Sequence, residues 1–326
     1  MKLDNFSFSG HQGCPLWYDE RINKGWTVRH RSAALGFGGA IHAGLAEWHR
    51  SRNPEKAVAL LEEVFPDQPV DDWRDLTKCK KVLLEYMNNY TYESFTIIPG
   101  MIEVPASLPT GMYLPRCMIP ERDHAGKILL HPSGAAFFAG CEYDNRNNSS
   151  WNRSVGTCRS CGAELELIEY GGIFDTLVEF SGQVYILEHK TTTVMGNHFF
   201  NQFKPNNQVT GYVWLAKGLS GRCDGALINA IGLYKSQATR FERQISTRNE
   251  FELDEWLLDL WTEACDIRDH ELFGHWPMRT KSCTLYGACE FLQVHSVNDP
   301  SVRQRLLEQD YVQDQWQFEK RDLRPS

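Results

Sequence analysis

Two β-rich runs, Gly171–Phe180 and Gln183–Thr191, flank the dipeptide Ser181-Gly182. Such runs around a short turn predict a β-hairpin. A two-residue loop centred there pairs Phe180 with Gln183 and sets Asp175 directly opposite Glu188. Opposed side chains share a face with Cβ atoms about 5 Å apart. Lys190, two residues beyond Glu188, lies on that face too. Facing carboxylates repel, so a sheet would not choose this pair for stability. A divalent cation between them removes the objection, and oxygen ligands of this kind suit Mg²⁺ or Mn²⁺. The chemistry fits phosphodiester hydrolysis. A metal there lowers the pKa of bound water and polarises the phosphate. Lys190 then orients that water or steadies the developing negative charge. A Glu-x-Lys on its own is usually a solvated strand edge. The apolar run Val184–Leu187 instead predicts a buried strand that delivers its charged end to a cleft.

The surrounding pattern supplies elements to hold this hairpin. A helix is expected from Ser32 to His49. Its Gly36, Gly38 and Gly39 cost about 1 kcal/mol each relative to Ala, which predicts close backbone approach there. Asn53-Pro54 breaks it. Helices over 54–65 and 71–91 follow, joined by a turn from Pro66 to Pro69. Residues 95–104 read as strand, 205–217 as a helix ending at Gly218, 224–234 as strand and 251–272 as an amphipathic helix. Ser9 to Pro15 reads as turn and loop. The stretch 105–169 lacks helical periodicity, holds four of the ten cysteines and reads as an insertion. The expected organisation is a helical N-terminal part of the core over 1–104 and the insertion over 105–169. The catalytic core with a Cys-containing loop spans 170–295, and a tail covers 296–326. The fold class is α/β: a mixed sheet flanked by helices on both sides.

The chain has 326 residues, 42% hydrophobic and 23% charged, including 10 Trp and 17 Phe. That suits one large core with insertions. The net charge of −8 argues against non-specific coating of nucleic acid, though not against a site with locally basic walls. The first ten residues contain no apolar signal segment, and no apolar run is long enough to span a membrane. The expectation is a cytoplasmic protein. In a reducing compartment ten cysteines do not predict disulfides. Cys79, Cys223 and Cys265 read as small buried hydrophobes.

Gly-Gly-Ile-Phe-Asp175 and Leu-Glu188-His-Lys190-Thr-Thr resemble motifs II and III of the RecB-type PD-(D/E)XK nucleases. Gly39-Ala-Ile-His42 resembles the motif I histidine. Gln208-Val-Thr-Gly-Tyr212 resembles the Gln-x-x-x-Tyr motif, with both side chains on one helix face. The resemblance covers roughly 9–50 and 170–295 and is nearest to phage and prophage members. It implies a PD-(D/E)XK core and metal-dependent cleavage of DNA ends or single strands, in the company of a recombinase or single-strand annealing protein. In that scheme Asp175, Glu188 and His42 bind the metal and Lys190 acts on water. Gln208 and Tyr212 hold the substrate strand. Two other readings stay open: a catalytically weak DNA-binding partner keeping the fold, and a CRISPR-associated nuclease.

Iron–sulfur members of this superfamily carry one Cys near the N-terminus and three near the C-terminus. Cys14, Cys283, Cys289 and His295 resemble that set, with His in the last place. A Cys₃His set holds zinc or a [4Fe-4S] cluster, or marks a lost site. In the insertion, Cys158-Arg-Ser-Cys161-Gly resembles half a zinc knuckle. Cys117 and Cys141 would complete a Cys₄ zinc site.

Overall fold

The computed structural model describes residues 1–29, 32–65, 73–117, 143–285 and 287–319. In chain order the elements are β1 (Lys2–Asp4), α1 (Asn5–Gly13), α2 (Pro15–Tyr18), β2 (Trp26–Val28), α3 (Ala33–Ser51), α4 (Pro54–Val64), α5 (Leu76–Asn89), β3 (Thr96–Tyr113), β4 (Leu167–Phe180) and β5 (Gln183–Thr192). There follow α6 (Asn197–Asn201), α7 (Asn207–Ser220), β6 (Gly225–Gly232), β7 (Arg240–Thr247), α8 (Glu250–Phe273), α9 (Leu292–His295), α10 (Pro300–Asp310) and β8 (Tyr311–Gln313). The main sheet is mixed, with order β1-β4-β5-β6-β7 and β3 also beside β4.

The hairpin β4–β5 sets the frame. Ser181 and Gly182 have φ of 52° and 75°, the pair of positive values that a two-residue type I′ turn needs. Pairing runs from Phe180–Gln183 to Thr176–Leu187, the register expected of a loop centred on Ser-Gly. β5 then pairs in parallel with β6. Tyr185 to His189 is buried, and so is all of β6. A strand enclosed on both faces reads as a near-continuous apolar run, which Gly225–Gly232 is apart from Asn229.

The chain divides into two compact units, one of residues 1–23, 107–171 and 254–289, the other of 24–106, 172–253 and 290–326. The expected insertion falls almost wholly in the first. The hairpin's paired residues lie in the second, which has two main apolar clusters. Phe37, Ile41, Leu45 and Trp48 of α3 pack with Leu61, Leu83, Tyr86 and Ile231. Phe174, Ile186 and Ile228 pack with Phe199, Val209 and Val213. Helices α3 to α5 therefore serve one cluster, and α6 and α7 the other.

Three local expectations change. Ser9 to Pro15 is mostly helix, because Asp4 and Ser7 cap α1 reciprocally. Asp4 Oδ1 accepts from Ser7 N at 2.9 Å and Ser7 Oγ from Asp4 N at 2.9 Å. Helix α7 runs through Gly218 to Ser220 and ends on Gly221, whose φ is 78°. Of the α3 glycines, Gly38 makes a close approach, its Cβ position lying 3.3 Å from Thr191 Oγ1, whereas Gly39 faces open space. The tightest approach on that helix is Gly44, where a Cβ would sit 2.6 Å from Leu83 Cδ2. The expected Pro66–Pro69 turn lies outside the described residues. Strands β1, β2, β7 and β8 were not expected. No helix among the described residues is long and apolar enough to cross a membrane.

Candidate active site

Asp175 sits on β4 one step past the last hairpin pair, and Glu188 sits on β5. Each is only 3% exposed. Asp175 Oδ2 accepts the backbone N–H of His189 at 2.8 Å, so the side chain substitutes for a ladder bond at the hairpin's open end. His42 Nδ1, from α3, lies 3.0 Å from Asp175 Oδ1. Glu188 Oε1 is 2.7 Å from Lys190 Nζ. That ammonium also donates to Gln208 Oε1 of α7 at 2.7 Å, and Gln208 Nε2 reaches Tyr212 Oη at 3.4 Å. The structure thus joins the six expected residues into two short chains, His42–Asp175 and Glu188–Lys190–Gln208–Tyr212.

Glu188 Oε2 is buried without a hydrogen-bond partner. Leaving a buried acceptor unsatisfied costs about 1–3 kcal/mol, more for a charged one. Burial raises the Glu188 carboxyl above the usual carboxylate range; Lys190 pulls it back, and the charge of Asp175 raises it again. A free oxygen beside a second carboxylate and an imidazole is the donor chemistry that Mg²⁺ or Mn²⁺ takes. The residues present therefore fit such an ion.

Tyr212 explains a glycine of the hairpin. A Cβ on Gly172 would lie 2.8 Å from Tyr212 Cε1. Gly172→Ala is expected to displace the ring and with it Gln208. Overpacking of this kind costs about 1–3 kcal/mol, readable by urea unfolding. An unchanged midpoint would mean that the ring has room to move.

A polar layer behind β5 escaped the sequence reading. His189 points away from Glu188 and Lys190, and its Nδ1 lies 2.7 Å from Asn229 Nδ2. Arg243 Nε donates to Asn229 Oδ1 at 2.9 Å, and its guanidinium also holds Glu93 and Tyr86 Oη. His49 of α3 stacks on His189, centroids 5.4 Å apart and planes 9° from parallel. Burial above all pushes His49 down to about 3 and His189 well below its usual value, so both rings are neutral. The available signal was Asn229, a lone amide inside an apolar strand.

The cysteines divide three ways. Cys79, Cys223 and Cys265 are buried. Burial pushes all three thiols up, Cys223 and Cys265 to about 12, as inert core thiols require. The segment after Pro277 meets the Cys14 loop through Leu16 N to Pro277 O at 3.3 Å, Ser282 Oγ to Gly13 O at 2.6 Å and Arg279 N to Cys14 Sγ at 3.4 Å. Among the described residues, however, Cys14, Cys283 and Cys289 do not gather their sulfurs as one metal-holding group. His295 Nε2 is buried without a partner. In the insertion, Cys117, Cys158 and Cys161 do gather, all three sulfurs within 4.8 Å of one another. Cys141 lies outside the described residues.

The family model of the PD-(D/E)XK nuclease superfamily matches residues 11–294. The chain belongs to that superfamily, whose members are nucleases, hydrolases of phosphodiester bonds. A solved structure of a "putative exonuclease" from Eubacterium rectale is similar at a TM-score of 0.48 and 12% identity, over 91% of this chain and 89% of the other. A comparison with curated proteins found no match.

Proposed function

We propose that the protein is a Mg²⁺- or Mn²⁺-dependent deoxyribonuclease, an exonuclease on DNA ends or single strands that serves phage or prophage recombination. One observation carries this reading. Glu188 presents a buried, unpartnered carboxylate oxygen in the same small site as Asp175, His42 and Lys190. When bound, the metal supplies a water of lowered pKa and a polarised phosphate. The protein's own groups do the rest. His42 and the His189 amide fix the two oxygens of Asp175. Gln208 fixes the Lys190 ammonium, which orients the attacking water or steadies charge on the phosphate. Tyr212 and Gln208 hold the strand. With a net charge of −8, grip on DNA comes from this local site rather than from a general positive field. A recombinase or annealing protein is the partner this role calls for, and the cytoplasm is its place.

The test is incubation of the full chain with end-labelled linear DNA and with closed circles, with Mg²⁺, with Mn²⁺ and with chelator. Linear DNA is expected to be degraded from its ends and circles spared, with chelator abolishing the degradation. Cutting of circles would overturn the exonuclease reading. Inertness towards all substrates with either metal would overturn the nuclease reading and favour a DNA-binding partner.

A further inference from the structure

The three clustered thiols lie apart from anything the nuclease chemistry uses. Cys117 and Cys158 are each 2% exposed, and Cys161 is at the surface. Cys117 Sγ and Cys161 Sγ are 3.6 Å apart. In a tetrahedral zinc–thiolate site with Zn–S near 2.3 Å, sulfurs sit about 3.8 Å apart. The local backbone has the form such a site needs. Cys158 N donates to Ala163 O at 2.8 Å and Gly162 N to Cys158 O at 3.0 Å. Gly162, at φ 72°, turns the chain so that Cys158 and Cys161 face the same point.

A fourth residue ties the thiol-bearing segments together. Asn145 is fully buried. Its Nδ2 donates to Pro115 O at 2.7 Å, two residues before Cys117, and lies 3.5 Å from Cys158 Sγ. Its Oδ1 accepts from Arg159 N at 2.8 Å. An amide donor aimed at a sulfur favours the thiolate, and ligand-orienting contacts of this kind tune metal affinity. Among the described residues, Leu165 is buried against the thiols, with Tyr113, Tyr143, Trp151 and Ala163 packed partly against the cluster. Three neutral thiols packed together gain little, and three thiolates repel.

We propose that Cys117, Cys158 and Cys161 bind a structural zinc ion as thiolates, oriented by Asn145, and that this ion ties the segment ending at Cys117 to the loops over 143–165. A ligand outside the triad fills the remaining corner. The donors are soft sulfurs, which select zinc over the Mg²⁺ or Mn²⁺ proposed for the carboxylates. The two proposals therefore fail independently.

The test is elemental analysis of the full chain purified without chelator, compared with Cys158→Ser and Cys161→Ser. The unsubstituted protein is expected to carry about one zinc per chain, and both variants to lose it. Asn145→Ala keeps the three thiols and is expected to bind zinc about tenfold more weakly. If the serine variants do not fold, titrating the native protein with an organomercurial should release the zinc as the thiols react. Replacement by Co²⁺ should give the intense visible bands of tetrahedral thiolate cobalt. Absence of zinc from the unsubstituted protein, iron in its place, or zinc retained in both serine variants would overturn the proposal.

Discussion

Glu188→Ala is expected to lose DNA cleavage by at least about 10²-fold, the loss seen when one transition-state-stabilising group is removed, while the metal-free protein melts no lower than before. The two expectations have one cause. Glu188 is 3% exposed, and one of its oxygens has no partner. Its ionised form is therefore stabilised by Lys190 on one side and opposed by burial and by Asp175. A buried charge that is only half satisfied costs stability. Removing it lifts that cost, and Lys190, a quarter exposed and still bonded to Gln208, keeps a partner. Glu188→Gln separates charge from shape. It retains an acceptor for Lys190 and should be as inactive as the alanine variant and at least as stable as the parent. The measurements are single-turnover cleavage with Mg²⁺ or Mn²⁺ and thermal unfolding without metal. Full activity in Glu188→Ala would remove Glu188 from the site. A large loss of stability in Glu188→Gln would mean that the carboxylate is structural.

Much of this site could be read from the sequence because a hairpin is local. The Ser181-Gly182 turn fixes its own register, and a period of two then decides which side chains share a face. Gln208 and Tyr212 were readable for a similar reason, since four residues make one helical turn. That His42 lies beside Asp175 came from family resemblance, because no local rule places α3 against β4. The helix at Asn5–Gly13 was missed because its glycines and polar residues look like a turn. Its reciprocal cap, Asp4 with Ser7, is local and was legible in the sequence, whereas the burial of Phe8 and His11 is a tertiary fact. The layer of His49, Glu93, His189, Asn229 and Arg243 brings together five stretches of chain, and each residue looks ordinary where it stands. Among the cysteines, the knuckle Cys158-x-x-Cys161 was legible by spacing, whereas its meeting with Cys117 depends on Asn145 bridging two loops. The even spacing of Cys283, Cys289 and His295 suggested a ligand set, but among the described residues Cys14, Cys283 and Cys289 do not bring three sulfurs within 4.8 Å of one another.

Arg243→Met should be among the most destabilising single changes in the chain, by about 3–5 kcal/mol, the cost of breaking a buried ion pair from one side. Arg243 is 12% exposed and Glu93 2% at the side chain, with contacts of 2.6 and 3.1 Å between them. The guanidinium also lies 3.5 Å above the Tyr90 ring. It donates to Tyr86 Oη at 2.8 Å and to Asn229 Oδ1 at 2.9 Å. Methionine retains much of the apolar stem but none of these donors, so Glu93 is left as an uncompensated buried charge. Changing both partners, Arg243→Met with Glu93→Met, removes that charge and should recover most of the loss, since an apolar pair in place of a buried ion pair is often neutral. Equilibrium unfolding in urea gives the numbers, and the double-mutant cycle isolates the pair. The double variant also separates stability from catalysis. With the fold restored but Asn229 short of the Arg243 donor, the amide that orients the His189 ring on the far face of β5 is less firmly held. Cleavage is then expected to fall through kcat with KM little changed. A cost below about 1 kcal/mol for Arg243→Met, the scale of an exposed pair, would show that Glu93 reaches water. Parental kcat in the double variant would show that the layer behind β5 supports the fold without positioning the catalytic strand.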